Sequence, residues 1–260
     1  MQIIMNTNFI KIGTTITPVP EGIDYALNLN KAYKLLWDDW DSKAYLEETD
    51  LPTIPSGLYT QDVDKFIDKV LRTFNSVSKN TTGVLLSGLK GSGKTLTAKM
   101  LALKSNIPII IVDERFPAGR LTSFFAKIKQ EVCILFDEID KNQRFWDSKM
   151  LLSFLDGLED NCKKLVVFTC NNVNFVNENL IDRCSRIRYY KIFEGLSDEE
   201  ISNIVDDLLR DKSKKEDLIS RINKIATKSY DNIIAAITEV NNNPDDTVEE
   251  LLKDLNIAWK

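Results

Sequence analysis

The stretch Leu85 to Leu103 reads LLSGLKGSGKTLTAKMLAL, and three of the chain's 10 glycines fall within six of its residues. Gly88, Gly91 and Gly93, closed by Lys94 and Thr95, give the pattern G-x-x-x-x-G-K-T. Residues of these types at this spacing suit a polyphosphate. Backbone without Cβ atoms can curl its N–H groups around phosphate oxygens, while the Lys94 ammonium reaches the β- and γ-phosphates. The Thr95 hydroxyl ligates Mg²⁺, and a following helix turns its positive end to the anion. The candidate binding segment is Gly88, Leu89, Lys90, Gly91, Ser92, Gly93, Lys94, Thr95 and Leu96. The competing reading is a surface turn that ends in Lys-Thr by chance. The flanks weigh against it: Gly83-Val84-Leu85-Leu86 reads as a buried strand before the loop, and a helical pattern follows.

Two further groups of residues stand at the ends of apolar runs. VCILFDEID places Asp137 and Glu138 after a buried strand, where adjacent acids are costly to hold without a cation or a water to work on. Asp137 suits the Mg²⁺ shell and Glu138 the polarisation of an attacking water; solvated acids at a strand end are the alternative. LVVFTCNN ends in Thr169-Cys170-Asn171-Asn172, whose amides can touch a γ-phosphate or orient the water. LIDRCSRIRYY then sets Arg183 and Arg186 three residues apart, where either could reach the nucleotide of a neighbouring subunit, against the alternative of surface salt bridges.

These residues need a frame. From Ser56 to about Tyr190, continuous apolar strands alternate with amphipathic helices, which predicts a parallel sheet covered on both faces with the candidate residues off the carboxyl ends of its strands. The helix QDVDKFIDKVLRTFNSV carries Val63, Phe66, Ile67, Val70, Leu71 and Phe74 on one face. Before it, residues 1–55 read as a short segment with a β-like start over Phe9 to Ile16 and a helix over YALNLNKAYKLLWDDW, on which Trp37 and Trp40 pack onto the main domain. After it, four helices are expected: one opened by a capping box at Ser197 to Glu200, and the last with Pro244 at its start. The expected domains are residues 1–55, 56–192 and 193–260.

Composition narrows the chemistry. With 260 residues, 43% of them hydrophobic, the chain can bury a sizeable core. It has no histidine, which excludes an imidazole base, triad or metal ligand and leaves carboxylates, Lys, Arg and a bound ion. Cys133, Cys162, Cys170 and Cys184 form no C-x-x-C pair and read as free thiols. Apolar runs are far too short to span a bilayer and the start lacks a signal-type pattern, so no membrane association and a cytoplasmic location are expected. A net charge of −5 disfavours broad nucleic-acid binding.

Taken together, these elements resemble an AAA+ ATPase of the AAA branch. Gly88 to Thr95 is similar to Walker A, Ile134-Leu135-Phe136-Asp137-Glu138 to Walker B, Asn171 to sensor 1, and Arg183 with Arg186 to the arginine-finger region. LLSFLDGLED resembles the Leu-Asp-Gly segment of the same branch, and the helical tail resembles the family's lid. The resemblance covers roughly Ser56 to Ile257. It implies a P-loop NTPase αβα sandwich with a five-stranded parallel sheet, a small C-terminal helical lid, and Mg²⁺-dependent ATP binding and hydrolysis. Assembly into a homo-oligomeric ring of six is also implied. In that scheme Lys94, Glu138, Asn171, Arg183 and Arg186 are catalytic, and Thr95 and Asp137 hold the metal.

The chain departs from the family at two places. SYDNIIAAI holds no arginine where the family has sensor 2, so Lys228 is the stand-in considered. DERFPAGRL, in the place of the pore loop, offers Phe116 as its one aromatic. The leading expectation is an ATP-driven remodeller of a protein or protein assembly. FTCNN followed by Asp182-Arg183-Cys184 resembles clamp-loader subunits, so a nucleic-acid-directed ATPase is one alternative, and a nucleotide-gated switch with little turnover is the other.

Overall fold

The computed structural model describes residues 9–18, 26–54, 61–76, 81–113, 116, 119–142, 148–158, 162–172 and 184–260. The chain divides into two compact units, Met1–Ser87 with Lys94–Ile192, and Gly88–Gly93 with Phe193–Lys260.

The first unit is built on a sheet. Its strands are β1 (Phe9–Ile12), β2 (Thr15–Pro18), β3 (Ala32–Asp38), β4 (Lys43–Thr49), β5 (Thr82–Gly88), β6 (Ile109–Val112), β7 (Val132–Phe136), β8 (Lys164–Cys170) and β9 (Ile187–Phe193). They follow the order β1-β2-β4-β3-β6-β7-β8-β5-β9. β6, β7, β8 and β5 pair in parallel, and β9 runs beside β5 with Arg186 and Ile187 against Gly83. All residues of β5, β7 and β8 are buried, which accounts for their unbroken apolar sequences. Helices α1 (Gln61–Ser76), α2 (Lys94–Lys104), α3 (Arg120–Ala126) and α4 (Ser148–Asp156) connect them. α1 buries Ile67, Val70 and Phe74, three of the residues its periodicity places on one face.

β5 to β9 are the five strands expected, and four more extend the sheet, of which β3 makes a sixth parallel strand. β3 pairs in parallel with β6, Ala32 opposite Ile109, and in antiparallel fashion with β4, which pairs in turn with β2, and β2 with β1. The helix expected over YALNLNKAYKLLWDDW is therefore corrected to strand β3 at Ala32–Asp38. The apolar residues there satisfy a helical spacing and a strand equally, and hydrogen-bond partners on both sides decide for the strand. Trp37 packs against the core, but Trp40 is 94% exposed on the β3–β4 turn, against the expectation that both would pack. Asp38 Oδ1 accepts the N–H groups of Trp40 at 2.9 Å and Asp41 at 3.2 Å, and Ser42 takes a left-handed φ of 49°, which closes the turn.

The second unit holds α5 (Asp198–Leu208), α6 (Lys215–Ile222), α7 (Tyr230–Asn242) and α8 (Val248–Lys253) around buried Ile201, Ile204, Leu218, Ile222, Ile233 and Ile237. The capping box at α5 is formed, Ser197 accepting from Glu200 N and Glu200 from Ser197 N. Pro244 does not begin the last helix. Thr247 caps it by accepting from Glu250 N, so α8 starts four residues after the proline.

Candidate functional site

The glycine loop has the backbone its composition demands. Gly88, Gly91 and Gly93 have φ of 132°, 72° and 92°, in the region that favours glycine. In its own unit the loop is tied at two points, Leu89 N donating to Phe193 O at 3.0 Å and Asp231 N donating to Gly91 O at 3.1 Å. Ser92 Oγ donates to Leu89 O at 2.6 Å and closes the turn from within. A Cβ added at Gly93 would meet nothing within 4 Å, so the loop is open on that side.

The loop runs directly into α2, whose first residues are Lys94 and Thr95. Lys94 is only 4% exposed, and burial pulls its pKa below the ordinary lysine value, opposed by the fields of Asp140, Cys170, Glu138 and Asp137. An ammonium so placed is stabilised by an anion brought to it.

The strand ends of β7 and β8 supply a connected polar network. Asp137 Oδ1 accepts from two hydroxyls, Thr95 Oγ1 at 2.9 Å and Thr169 Oγ1 at 2.5 Å. Thr169 Oγ1 in turn accepts the backbone N–H of Glu138 at 2.7 Å. That bond holds Glu138 in the left-handed region, φ 50°, a conformation that costs a residue with a Cβ about 1–2 kcal/mol. The Glu138 carboxylate accepts from Asn171 Nδ2 at 2.8 Å through Oε1 and pairs with the Lys141 ammonium through Oε2. This hydrogen bond raises the Lys141 pKa above the ordinary lysine value. Asp140, in a 3-10 turn over Ile139–Asn142, accepts the N–H groups of Asn171 and Asn172, each at 3.0 Å, through its two oxygens. The Cys170 thiol beside the network is pushed up to about 12 by burial first and then by the field of Asp140, and stays protonated.

Thr95, Asp137, Glu138 and Asn171 are thus brought together by direct hydrogen bonds, with Lys94 one residue away on α2. Other expected site residues are placed elsewhere. Arg186, considered for a neighbour's nucleotide, is engaged within its own chain, its Nε and Nη2 forming a two-point ion pair with Asp156 at the end of α4. Within one chain Arg186 thus takes the alternative of a salt bridge. Arg183 lies outside the described residues. Lys228, the stand-in considered for sensor 2, donates to Asp198 at 2.6 Å and Asn223 at 2.7 Å within the helical unit. The lid residue that meets the loop is Asp231, whose Oδ2 lies 2.9 Å from where a Gly91 Cβ would stand. Phe116 is 4% exposed in the core and meets Trp37 edge-on at 6.3 Å, so it presents no aromatic surface to a client.

Thr169, Asp140 and Lys141 were not singled out in the sequence. Thr169 is one of two polar residues at the end of a fully apolar strand and was visible on that ground, whereas nothing in the order of residues reveals that Asp140 and Lys141 fold back on Asn171 and Glu138.

The residues present fit a magnesium nucleoside triphosphate. Among the described residues no group of three or more His, Cys, Asp or Glu could hold a metal ion. A Thr hydroxyl beside one Asp oxygen is instead the donor set of Mg²⁺, which takes one or two protein ligands and fills its shell with phosphate oxygens and water. The buried ammonium of Lys94 suits a phosphate.

The model of the ATPase family associated with various cellular activities (AAA) matches residues 84–192. The ATP-dependent zinc metalloprotease FtsH of Heterosigma akashiwo is 35% identical over 127 residues, 40% of this chain and 19% of that protein. The ATP-dependent zinc metalloprotease FTSH 9, chloroplastic/mitochondrial, of Oryza sativa subsp. japonica is 26% identical over 203 residues, 68% of this chain and 26% of that protein. The alignments with these two relatives thus span about a fifth to a quarter of their length. A solved structure of the ORC2 protein of Aeropyrum pernix, in ADPNP–ADP complexes, aligns with 78% of this chain and 69% of its own at 14% identity and a TM-score of 0.49. The matched residues 84–192 contain the glycine loop, Lys94, Thr95, Asp137, Glu138, Asp140, Lys141, Thr169 and Asn171. Over residues 84–192 the chain is thus similar to the AAA family of ATPases.

Proposed function

We propose that the protein hydrolyses ATP with Mg²⁺ in a homo-oligomeric ring of about six subunits and uses the energy to remodel a protein or protein assembly. The observation that carries the enzymatic part is the network joining Thr95, Asp137, Thr169, Glu138 and Asn171 by hydrogen bonds. A loop that only retained nucleotide would have no need of a carboxylate held by a second side chain off the adjacent strand.

Each residue has a part. The N–H groups of residues 90–93 and the Lys94 ammonium bind phosphate oxygens, and Thr95 with Asp137 holds Mg²⁺, Asp137 directly or through water. The bound ion and nucleotide supply the scissile phosphoanhydride and the neutralisation of its charge. Asn171 orients Glu138, and the Glu138 carboxylate accepts the proton of the attacking water. Arg183, near the start of β9, is the residue we assign to reach the site of a neighbouring subunit. A protein client is favoured by the similarity to proteins named ATP-dependent metalloproteases. These 260 residues hold no histidine to bind zinc, so the proposal takes from those relatives their ATP dependence and not their proteolysis.

The test is the solution mass and ATPase rate of wild-type, Lys94→Ala and Glu138→Gln proteins with and without Mg-ATP. The expected result is loss of nucleotide binding in Lys94→Ala, and retained binding without turnover in Glu138→Gln together with a shift to about six subunits. Equal loss of binding in both variants would overturn the division of roles. Stimulation of the wild-type rate by DNA and not by unfolded protein would redirect the proposal to a nucleic-acid client.

A further inference from the structure

Both oxygens of the Glu138 carboxylate are engaged, and the two partners differ in kind. Asn171 sits at the end of β8 with its backbone N–H fixed by Asp140 at 3.0 Å, so its hold on Oε1 is built into the sheet. Lys141 reaches Oε2 from solvent, its side chain 61% exposed while that of Glu138 is 25% exposed. The approach is set by local geometry: Lys141 N donates to Glu138 O at 3.0 Å and opens the 3-10 turn, and residues three apart in such a turn stand on the same side.

We infer that Lys141 is a restraining residue for hydrolysis, holding the Glu138 carboxylate by its second oxygen and so limiting how often that carboxylate is free to take a proton from water. The inference rests on the assignment of Glu138 as the base. A base must turn a lone pair to the water it deprotonates, and an ammonium on Oε2 occupies that oxygen. Because the pair is exposed, it exchanges with water rather than locking the site, so it slows turnover without abolishing it.

The experiment is steady-state ATP hydrolysis by the full chain in five forms: wild type, Lys141→Met, Lys141→Arg, Glu138→Gln and Glu138→Gln with Lys141→Met. Binding of a fluorescent ATP analogue is measured on each. Lys141→Met is expected to raise kcat about two- to fivefold, the size of losing one exposed ion pair, at unchanged KM for ATP. Lys141→Arg keeps the wild-type rate, and the double variant is as inactive as Glu138→Gln, which places the effect on that carboxylate. A kcat for Lys141→Met at or below wild type, or a gain shared by Lys141→Arg, overturns the restraint while leaving the ATPase assignment standing. A wild type that binds the analogue and does not hydrolyse ATP overturns the ATPase assignment, and the restraint with it.

Discussion

The hydroxyl of Thr169 stands 2.5 Å from Oδ1 of Asp137 and donates to it, while accepting the N–H of Glu138 at 2.7 Å. One oxygen thereby fixes the orientation of the carboxylate assigned to the metal and the unusual backbone of the carboxylate assigned to the water. Thr169→Val keeps the shape and removes the hydroxyl. We expect it to lower kcat about ten- to a hundredfold, from the loss of hydrogen bonds of which one is to an ionised group, with KM for ATP changed by less than about threefold. Thr169→Ser restores the hydroxyl and should restore the rate. Wild-type turnover by Thr169→Val would show that the network does not depend on this bridge.

Arg186 and Asp156 make a different prediction. The Arg186 side chain is 17% exposed, its Nη1 is buried without a hydrogen-bond partner, and Asp156 is 42% exposed. Arg186→Ala should therefore lower the free energy of urea unfolding by about 1 kcal/mol, discounted for the exposure of the acid, and leave nucleotide binding intact. Arg183→Ala should bind nucleotide yet lose turnover, and mixing it with Glu138→Gln should recover activity at the interfaces where an intact arginine meets an intact glutamate. Recovery with Arg186→Ala in place of Arg183→Ala would transfer the intersubunit role to Arg186.

Lys164 offers a test by pH. It is fully buried at the start of β8 and donates to the carbonyls of Ile128 at 3.0 Å and Cys162 at 3.4 Å, and burial depresses its pKa below the ordinary 10.5. Between the depressed folded value and 10.5 the unfolded chain holds more protons than the folded one, so stability rises with pH through that window. Below the window the cost of the buried charge is present in full; above 10.5 it is gone. Lys164→Met lacks this titration. The stability of Lys164→Met relative to wild type, measured by urea unfolding from pH 7 upward, should therefore fall as 10.5 is approached. Parallel curves for the two proteins would refute the burial penalty.

β5, β7 and β8 were legible because each is buried on both faces and carries a continuous apolar run, such as Leu165-Val166-Val167-Phe168. The glycine loop was legible because its φ values leave little choice of residue. β3 was not. Ala32, Tyr33, Leu35, Leu36 and Trp37 read as a helix until β4 and β6 are placed beside them, and that pairing joins residues 77 apart in sequence at Ala32 and Ile109. The contacts of Phe116 and Arg186 were not legible for a related reason: each has a partner, Trp37 or Asp156, that only the folded chain brings to it. The acids of the site were legible as types and positions, while the Lys141 partner of Glu138 was set by a turn four residues long.

The four strands added to the parallel sheet bear on how the protein behaves at high concentration. β6 reads Ile109-Ile110-Ile111-Val112, and as the last strand of a sheet it would present unpaired backbone groups on a wholly apolar segment, a template for strand addition by any unfolded chain. β3 occupies that template, and among the described residues the outermost strand on that side is β1, a strand of four residues that includes an exposed lysine, Lys11. Short, charged margins resist edge-to-edge growth. The strands before residue 50 thus act as a permanent guard on solubility, occupying with the protein's own backbone the place where fibrils would begin.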